Sequence, residues 1–319
     1  MAAPLDLSVI IASYDTRDLL EANLRSIFEH PPPGEWEVVV VDNGSSDGSL
    51  DLLAQEFPQV RTHATGRNLG YAAANNLVLR DLTARYALVL NSDIEVRGEA
   101  LARLLAFMDT HAEAGLCTAR LMLPDGSLQP AWRRGFTLGE YFAQQVFLDR
   151  LGWARRFCGG ESATGASLTE PYGVRHIHGA CLFVRAEALK AVGLMDEGYW
   201  MYCEDSDWCL RLRRAGWQLC VEPQAEMLHA VGGSSTTIRA EMIARYHHSA
   251  ARYFRRHYGP VAGLAARALG LFSPALRLLL WSAATAATVG LSARTRQQRG
   301  LFARALALTA RAPAPVARV

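Results

Sequence analysis

The chain has 319 residues, 50% of them hydrophobic and 20% charged, with 33 basic against 31 acidic side chains and a net charge of +2. With only 13 prolines, this composition excludes a disordered, collagen-like or disulfide-framework chain and leaves ample material for a buried core. The length suits one large domain or two smaller ones.

The opening MAAPLDLS lacks the charged-then-apolar pattern of a signal peptide, and the six cysteines (117, 158, 181, 203, 209 and 220) form no CxxC pair. Both features predict a cytoplasmic protein with reduced core thiols. Leu7 to Ala12, Trp36 to Val41, Val60 to Ala64 and Tyr86 to Leu90 are short apolar or β-branched runs. VVVV and ALVL read as strands buried on both faces. Leu20, Leu24, Ile27 and Phe28, then Leu50, Leu53 and Phe57, then Ala74, Leu77 and Val78, carry helical spacing between them. Strand and helix alternate, which predicts an α/β fold with right-handed crossovers and a ligand cleft outside the carboxyl ends of the strands.

Polar clusters follow three of the four strands. Ala12-Ser13-Tyr14-Asp15 ends the first, and Asp42-Asn43-Gly44-Ser45-Ser46-Asp47-Gly48 the second. Neither GxGxxG nor GxxxxGK[ST] is present, so no glycine loop wraps a phosphate there. Asp42 can hydrogen-bond a base or ribose, or it can simply make the turn and cap the next helix. Asn91-Ser92-Asp93 ends the fourth strand, ahead of a helix expected over Gly98 to His111. A carboxylate at that place can hold a hard divalent cation, although a helix cap is the plainer use.

From Pro124 to His176, Gly, aromatic and Arg residues predict loops and short helices over the sheet's edge. Arg133 and Arg134 there can bind a phosphate, or simply be solvated. Order returns with a strand over Ala180 to Val184, a helix over Cys203 to Ala215, a strand over Trp217 to Val221 and an amphipathic helix over Ile238 to Tyr258. Glu204, Asp205 and Asp207 crowd that first helix start, more acids than the macrodipole accounts for. Asp205 shares the apolar face of Trp208, Cys209 and Leu212, where a carboxylate is costly unless paired or working. Tyr199, Trp200 and Tyr202 just upstream can wall a pocket. His229 can complete a cation site begun by Asp93, or serve as an ordinary structural histidine.

The near-neutral charge averages two unlike parts. Residues 242–319 contain twelve Arg and no acid, leaving 21 basic against 31 acidic groups, or −10, in residues 1–241. Apolar side chains interleave these arginines, which favours an anionic membrane surface and no nucleic acid as partner. The uncharged run Leu278 to Ala293, 16 residues, falls short of the roughly 20 needed to span a bilayer.

The order ASYD, VVVVDNGSSDGS, RNLGYAAANN, LVLNSDIEV, PDGSLQ, HGACLFVRAEAL, GLMDEGYWMYCEDSDWCLRLRRAGW and HAVGGSS resembles the family 2 glycosyltransferases of the GT-A fold. Within them it is most similar to the bacterial rhamnosyltransferase branch that builds cell-surface polysaccharides. The resemblance implies a mostly parallel central sheet flanked by helices. It places a GT-A domain over residues 1–240, with a nucleotide-sugar half to about 120 and an acceptor half beyond; the Arg-rich, apolar composition of residues 241–319 predicts an amphipathic helical tail that the resemblance does not cover as specifically. It puts the nucleotide sugar against Ser13, Tyr14, Asp42, Asn68, Gly70 and Asp93, and Mg²⁺ or Mn²⁺ on Asp93 and His229, with Asn91 in place of the first acid of the family's DxD motif. Asp205 takes the catalytic base's position with Glu204 beside it, and Arg133, Arg134, Trp200 and Tyr202 are acceptor contacts.

The expected reaction moves a sugar, by best match L-rhamnose from dTDP-L-rhamnose, with inversion onto a polyprenyl-diphosphate-linked saccharide at the inner face of the cell membrane. The alternative is a membrane-tethered nucleotide-sugar or glycan-binding module without turnover. A sugar nucleotidyltransferase would need a glycine-rich basic loop that ASYDTRDL does not supply. Oligomeric state is left open.

Overall fold

The computed structural model describes residues 5–129, 131–133, 135–151, 169–230, 239–288 and 291–311. The first four strands, β1 (Leu7–Ser13), β2 (Trp36–Asp42), β3 (Arg61–Ala64) and β4 (Tyr86–Asn91), are parallel and lie in the order β3-β2-β1-β4. Helices α1 (Arg17–Glu29), α2 (Ser49–Glu56) and α3 (Tyr71–Leu79) connect them. Val38 to Val41 and Ala87 to Leu90 are buried on both strand faces, as the unbroken apolar runs require. α1 buries Leu20, Leu24 and Ile27 at helical spacing. In α2 the first-turn Leu50 is exposed, and Leu52 joins Leu53 in the core instead.

Beyond β4 the sheet becomes mixed and continues through β11 (Cys181–Arg185), β6 (Ala114–Met122), β12 (Gln218–His229) and β5 (Ile94–Val96). β6, which periodicity did not single out, is buried along almost its whole length. β12 outruns the expected Trp217 to Val221. Its pairing with β6 breaks between Glu222 and Glu226, where Pro223 has no N–H to give, and then resumes. β7 (Leu128–Gln129) pairs with β6, and β9 (Tyr172–Val174) with β12. β8 (Trp132–Arg133) and β10 (His176–Ile177) form a separate two-stranded sheet, so the middle segment holds strands as well as short helices.

The remaining helices are α4 (Ala100–Thr110), α5 (Leu138–Gln145), α6 (Ala186–Val192), α7 (Glu204–Arg214), α8 (Arg239–Tyr258), α9 (Pro260–Ala287) and α10 (Ala293–Ala310). A capping box starts α5, with Thr137 Oγ1 accepting from Glu140 N and Glu140 Oε2 accepting from Thr137 N. The described cysteines 117, 181, 203, 209 and 220 are buried free thiols, while Cys158 lies outside the described residues.

A second core joins Phe136, Tyr141, Tyr199 and Cys203 to Ala250, Tyr253, Phe254 and Ala266. α9 buries small residues, Gly263, Ala266, Gly270, Ser273 and Pro274, and this lets its backbone approach α8. A Cβ at Gly263 would lie 2.5 Å from Arg255 Cβ, and one at Gly270 3.0 Å from His247 Cβ. Leu269 packs against the second core, whereas Val261, Leu264, Phe272, Leu279 and Leu280 of α9 are left exposed. The 16-residue uncharged run supplies only the later part of this 28-residue helix, which by length and composition alone is apolar enough to cross a membrane.

Ion pairs lock α8 to the start of α7. Asp207, 0% exposed, receives Arg211 Nε at 2.7 Å, His257 Nε2 at 2.7 Å and Arg256 Nε at 3.2 Å. Arg214 Nη1 faces His257 Nδ1 at 3.1 Å, which makes Nδ1 the acceptor and Nε2 the nitrogen that donates to Asp207. Asp196, in the loop before α7, takes both Arg252 and Arg256.

Burial works against the Asp207 charge, but the bond from His257 and the guanidinium groups of Arg211 and Arg256 hold its carboxyl below the ordinary value. A depressed folded-state pKa stabilises above the unfolded value and is lost as pH falls through the folded one, so this contribution should fade below about pH 4. Asp207→Asn should lower the urea-unfolding free energy by about 3 kcal/mol near neutral pH, because it removes a fully buried carboxylate from its Arg211, Arg256 and His257 partners. The gap from wild type should shrink in acid, and a gap that is constant with pH would contradict the assignment.

Candidate active site

Strand register sets the cleft. Ser13 is level with Asp42 and Ala12 with Asn91, so β1, β2 and β4 finish together at one edge. Asp15, at φ +49°, accepts from Ser46 N at 2.7 Å and donates its own N–H to Ser45 Oγ at 3.0 Å. The buried Ser13 hydroxyl contacts Thr16 Oγ1 at 3.0 Å, which contacts Ser92 Oγ at 2.9 Å, and Tyr14 is exposed beside them. Asp42 divides its two oxygens. Oδ1 accepts from Gly44 N and Ser45 N and makes the turn, whereas buried Oδ2 has no partner among the described residues.

Asn43, not singled out from sequence, fastens the next loop. Its Oδ1 accepts from Leu69 N at 2.8 Å, and its Nδ2 donates to Asn68 Oδ1 at 3.1 Å. Asn68 Oδ1 also accepts from Gly70 N at 2.9 Å, so this oxygen holds the loop's own shape. Gly70 is at φ +85°, and a Cβ there would lie 2.3 Å from the Trp200 carbonyl oxygen, which accepts from Tyr71 N at 2.9 Å. The Trp200 segment thus closes directly on the 68–71 loop.

Pairing of β5 with β12 brings Asp93 and His229 together. Asp93 Oδ1 lies 3.2 Å from His229 Nε2, and His229 Nδ1 faces Gln129 Oε1 at 2.5 Å. With Nδ1 donating to the amide oxygen, Nε2 is left as the ligand atom beside a carboxylate. That donor set and spacing fit a small hard or borderline cation such as Mg²⁺ or Mn²⁺. A second group, missed from sequence, comprises His176, His178 and Asp205, whose ligand atoms lie within 4.8 Å of one another. The signal available was HIH in an extended segment, where alternate residues share one face.

The start of α7 is strained, since Tyr202 at φ +69° and Cys203 at φ +65° are consecutive left-handed non-glycine residues. The turn presents Asp205, whose Oδ2 accepts from Gly179 N at 3.1 Å and whose Oδ1 accepts from Ser206 N at 2.6 Å. His176 Nε2 stands 2.8 Å from Ser206 Oγ and 3.7 Å from Asp205 Oδ1. Glu204 is more deeply buried, with Oε2 lacking a partner among the described residues. Burial, and after it the adjacent Asp205 charge, push the Glu204 carboxyl well above the ordinary value.

Trp200 lies under the Arg245 guanidinium of α8, 3.5 Å from ring centre, and Tyr202 meets Tyr246 edge-on at 5.9 Å. Arg133 pairs through its backbone with His176; its side chain, Arg134 and the Gly232–Ser235 stretch lie outside what is described.

Residues 8–193 match the sequence model of glycosyl transferase family 2. The chain is 31% identical over 262 residues to N-acetylglucosaminyl-diphospho-decaprenol L-rhamnosyltransferase of Mycobacterium tuberculosis, spanning 76% of this chain and 82% of that protein. It is 26% identical over 236 residues to dTDP-rhamnosyl transferase RfbF of Shigella flexneri, spanning 73% and 72% respectively. Among solved structures, a mannosyltransferase from Pyrobaculum calidifontis in complex with GDP-Man and Mn²⁺ aligns over 96% of this chain and 88% of its own, with a TM-score of 0.54 at 18% identity. That likeness bears out the GT-A fold.

Proposed function

The chain belongs to glycosyl transferase family 2 and is a glycosyltransferase, and from that premise we propose that it is an inverting rhamnosyltransferase. In this reading it moves L-rhamnose from dTDP-L-rhamnose to a hydroxyl of a polyprenyl-diphosphate-linked saccharide in cell-surface polysaccharide synthesis. The observation that carries it is Asp205, a carboxylate fixed by Gly179 and Ser206 N–H groups beside a level set of strand ends. Likeness to the mycobacterial and Shigella enzymes supports the sugar, and the former supports the acceptor class.

Asp42 Oδ2 is the acceptor that a thymine N3–H would take, while Ser13, Tyr14 and the Asn68–Gly70 loop bound the nucleoside. Asp93 and His229 would hold a divalent cation, which when bound would stabilise the negative charge of the departing diphosphate. A sugar hydroxyl is scarcely ionised at neutral pH, so its proton must leave as the new glycosidic bond forms. Asp205 accepts that proton, the hydroxyl oxygen attacks the anomeric carbon, and the bond to dTDP breaks on the opposite face. Glu204, the adjacent residue, is held toward its protonated form by burial and by the Asp205 charge.

The exposed apolar stripe of α9 and the arginines of α10, among them Arg294, Arg299 and Arg304, suit the head-group region of an anionic leaflet. This reading places the enzyme peripherally on the inner face of the cell membrane.

Asp205→Asn should cut transfer by roughly 10²- to 10⁴-fold while donor affinity stays within twofold by calorimetry; near-wild-type turnover would remove Asp205 as base. Asp93→Ala and His229→Ala should each weaken Mn²⁺ binding in the presence of dTDP, read by electron paramagnetic resonance, and His178→Ala should not. The reverse pattern would move the cation to the His176–His178–Asp205 group. In sedimentation assays the protein should bind phosphatidylglycerol vesicles and release as salt rises, and equal binding to phosphatidylcholine vesicles would refute the electrostatic part of the membrane reading.

A further inference from the structure

A cavity of about 560 Å³ lies among α5, α8, α9 and α10. Tyr202, two residues ahead of Glu204, lines it together with Gln144, Asp149, Arg239, Tyr246 and Arg277. Its wall combines two arginines, a carboxylate and two amides with aromatic rings and an apolar side made by Met242 and Ile243, a mixture that suits a phosphorylated sugar carrying an apolar chain.

Arg277 is half-buried, and its contacts are neutral. Its guanidinium donates to Ser273 O at 3.2 Å and Gln145 O at 3.3 Å, and also to Ser273 Oγ. It forms no ion pair among the described residues. The Phe147 ring covers it at 4.4 Å. Burial and the neighbouring Arg150 charge pull it below the ordinary value, with the Asp149 carboxylate offsetting only part of this, so an incoming anion would relieve the remaining cost. Asp149 complements it, since Oδ1 is buried without a partner among the described residues and can accept a sugar hydroxyl. Along α9, Arg277 lies four residues after Ser273, on the cavity wall, and three before Leu280, on the exposed apolar stripe. It stands where a polar cavity meets the face that suits lipid.

We propose that this cavity seats the lipid-proximal sugar diphosphate of the acceptor, with Arg277 and Arg239 on the diphosphate, Asp149 on a sugar hydroxyl, and the lipid chain leaving along the stripe of α9. The C-terminal helices are then part of the acceptor site and more than an anchor. The proposal rests on the polyprenyl-diphosphate acceptor named above, and it assigns the diphosphate to Arg277 and Arg239 in place of Arg133 and Arg134.

The test is calorimetric binding of farnesyl-diphosphate-linked N-acetylglucosamine to the full chain in neutral detergent, without donor. Arg277→Gln should weaken binding about tenfold or more, and Arg239→Gln, at an exposed position with an unchanged melting temperature, severalfold. Octyl N-acetylglucosaminide, which has the sugar and an alkyl chain but no diphosphate, should bind wild type and both variants within twofold. Wild-type affinity in both variants, or equal losses for the octyl glycoside, would overturn the site alone. Full displacement by equimolar phosphatidylglycerol in nanodiscs would assign the cavity to bulk lipid head groups and also overturn it. A wild-type protein that binds neither compound would remove the acceptor reading and the site with it.

Discussion

The buried carboxylate of Asp207 is the constraint on which the rest of this structure turns. Its acceptor positions are filled from both helices, by Arg211 within α7 and by Arg256 and His257 from α8. Leaving such a charge unpaired would cost several kcal/mol, so the two helices have one mutual arrangement rather than many. That rigidity is needed nearby. Tyr202 and Cys203 each hold a left-handed backbone costing of order 1–3 kcal/mol, and such strain persists only where surrounding contacts over-determine it. The strained turn is what aims Asp205 at the Gly179 amide and the cleft.

The same clamp carries the C-terminal helices into the site. Asp196 engages Arg252 and Arg256, Arg245 covers Trp200, and Trp200 in turn abuts Gly70 of the 68–71 loop. A side chain at Gly70, where a Cβ would meet the Trp200 carbonyl oxygen, would break this chain of contacts. Both halves of the cleft are thus held to a common frame that the Arg-rich segment completes. With its small residues turned inward against α8, α9 has no inward place for Leu264 or Leu279, and an outward apolar face is the packing consequence.

The parts legible in the sequence were those whose signal is local. VVVV and ALVL announced strands covered on both faces, and Leu20, Leu24 and Ile27 announced a helix. β6 was missed because a strand buried throughout loses the alternation that marks a half-exposed one, and β12 was cut short because Pro223 reads as a stop although the ladder resumes past it. In the site, Asp42, Asp93 and Asp205 stood out as acids at strand or helix ends. Asn43, His176 and Arg245 did not, because their importance lies in partners 25 to 45 residues distant or more.

By itself the sequence determined the α/β alternation, the polar strand ends, the acid-rich helix start and the separation of negative and positive charge along the chain, since each is a property of neighbours or of composition. Only the tertiary structure decided which carboxylate of the ED pair is the more deeply buried, that His229 meets Asp93 across the β5–β12 pairing, and that Arg277 faces a cavity rather than solvent. Those outcomes depend on desolvation and on distances between segments remote in sequence, and neither is fixed until the sheet order and the helix clamp are formed.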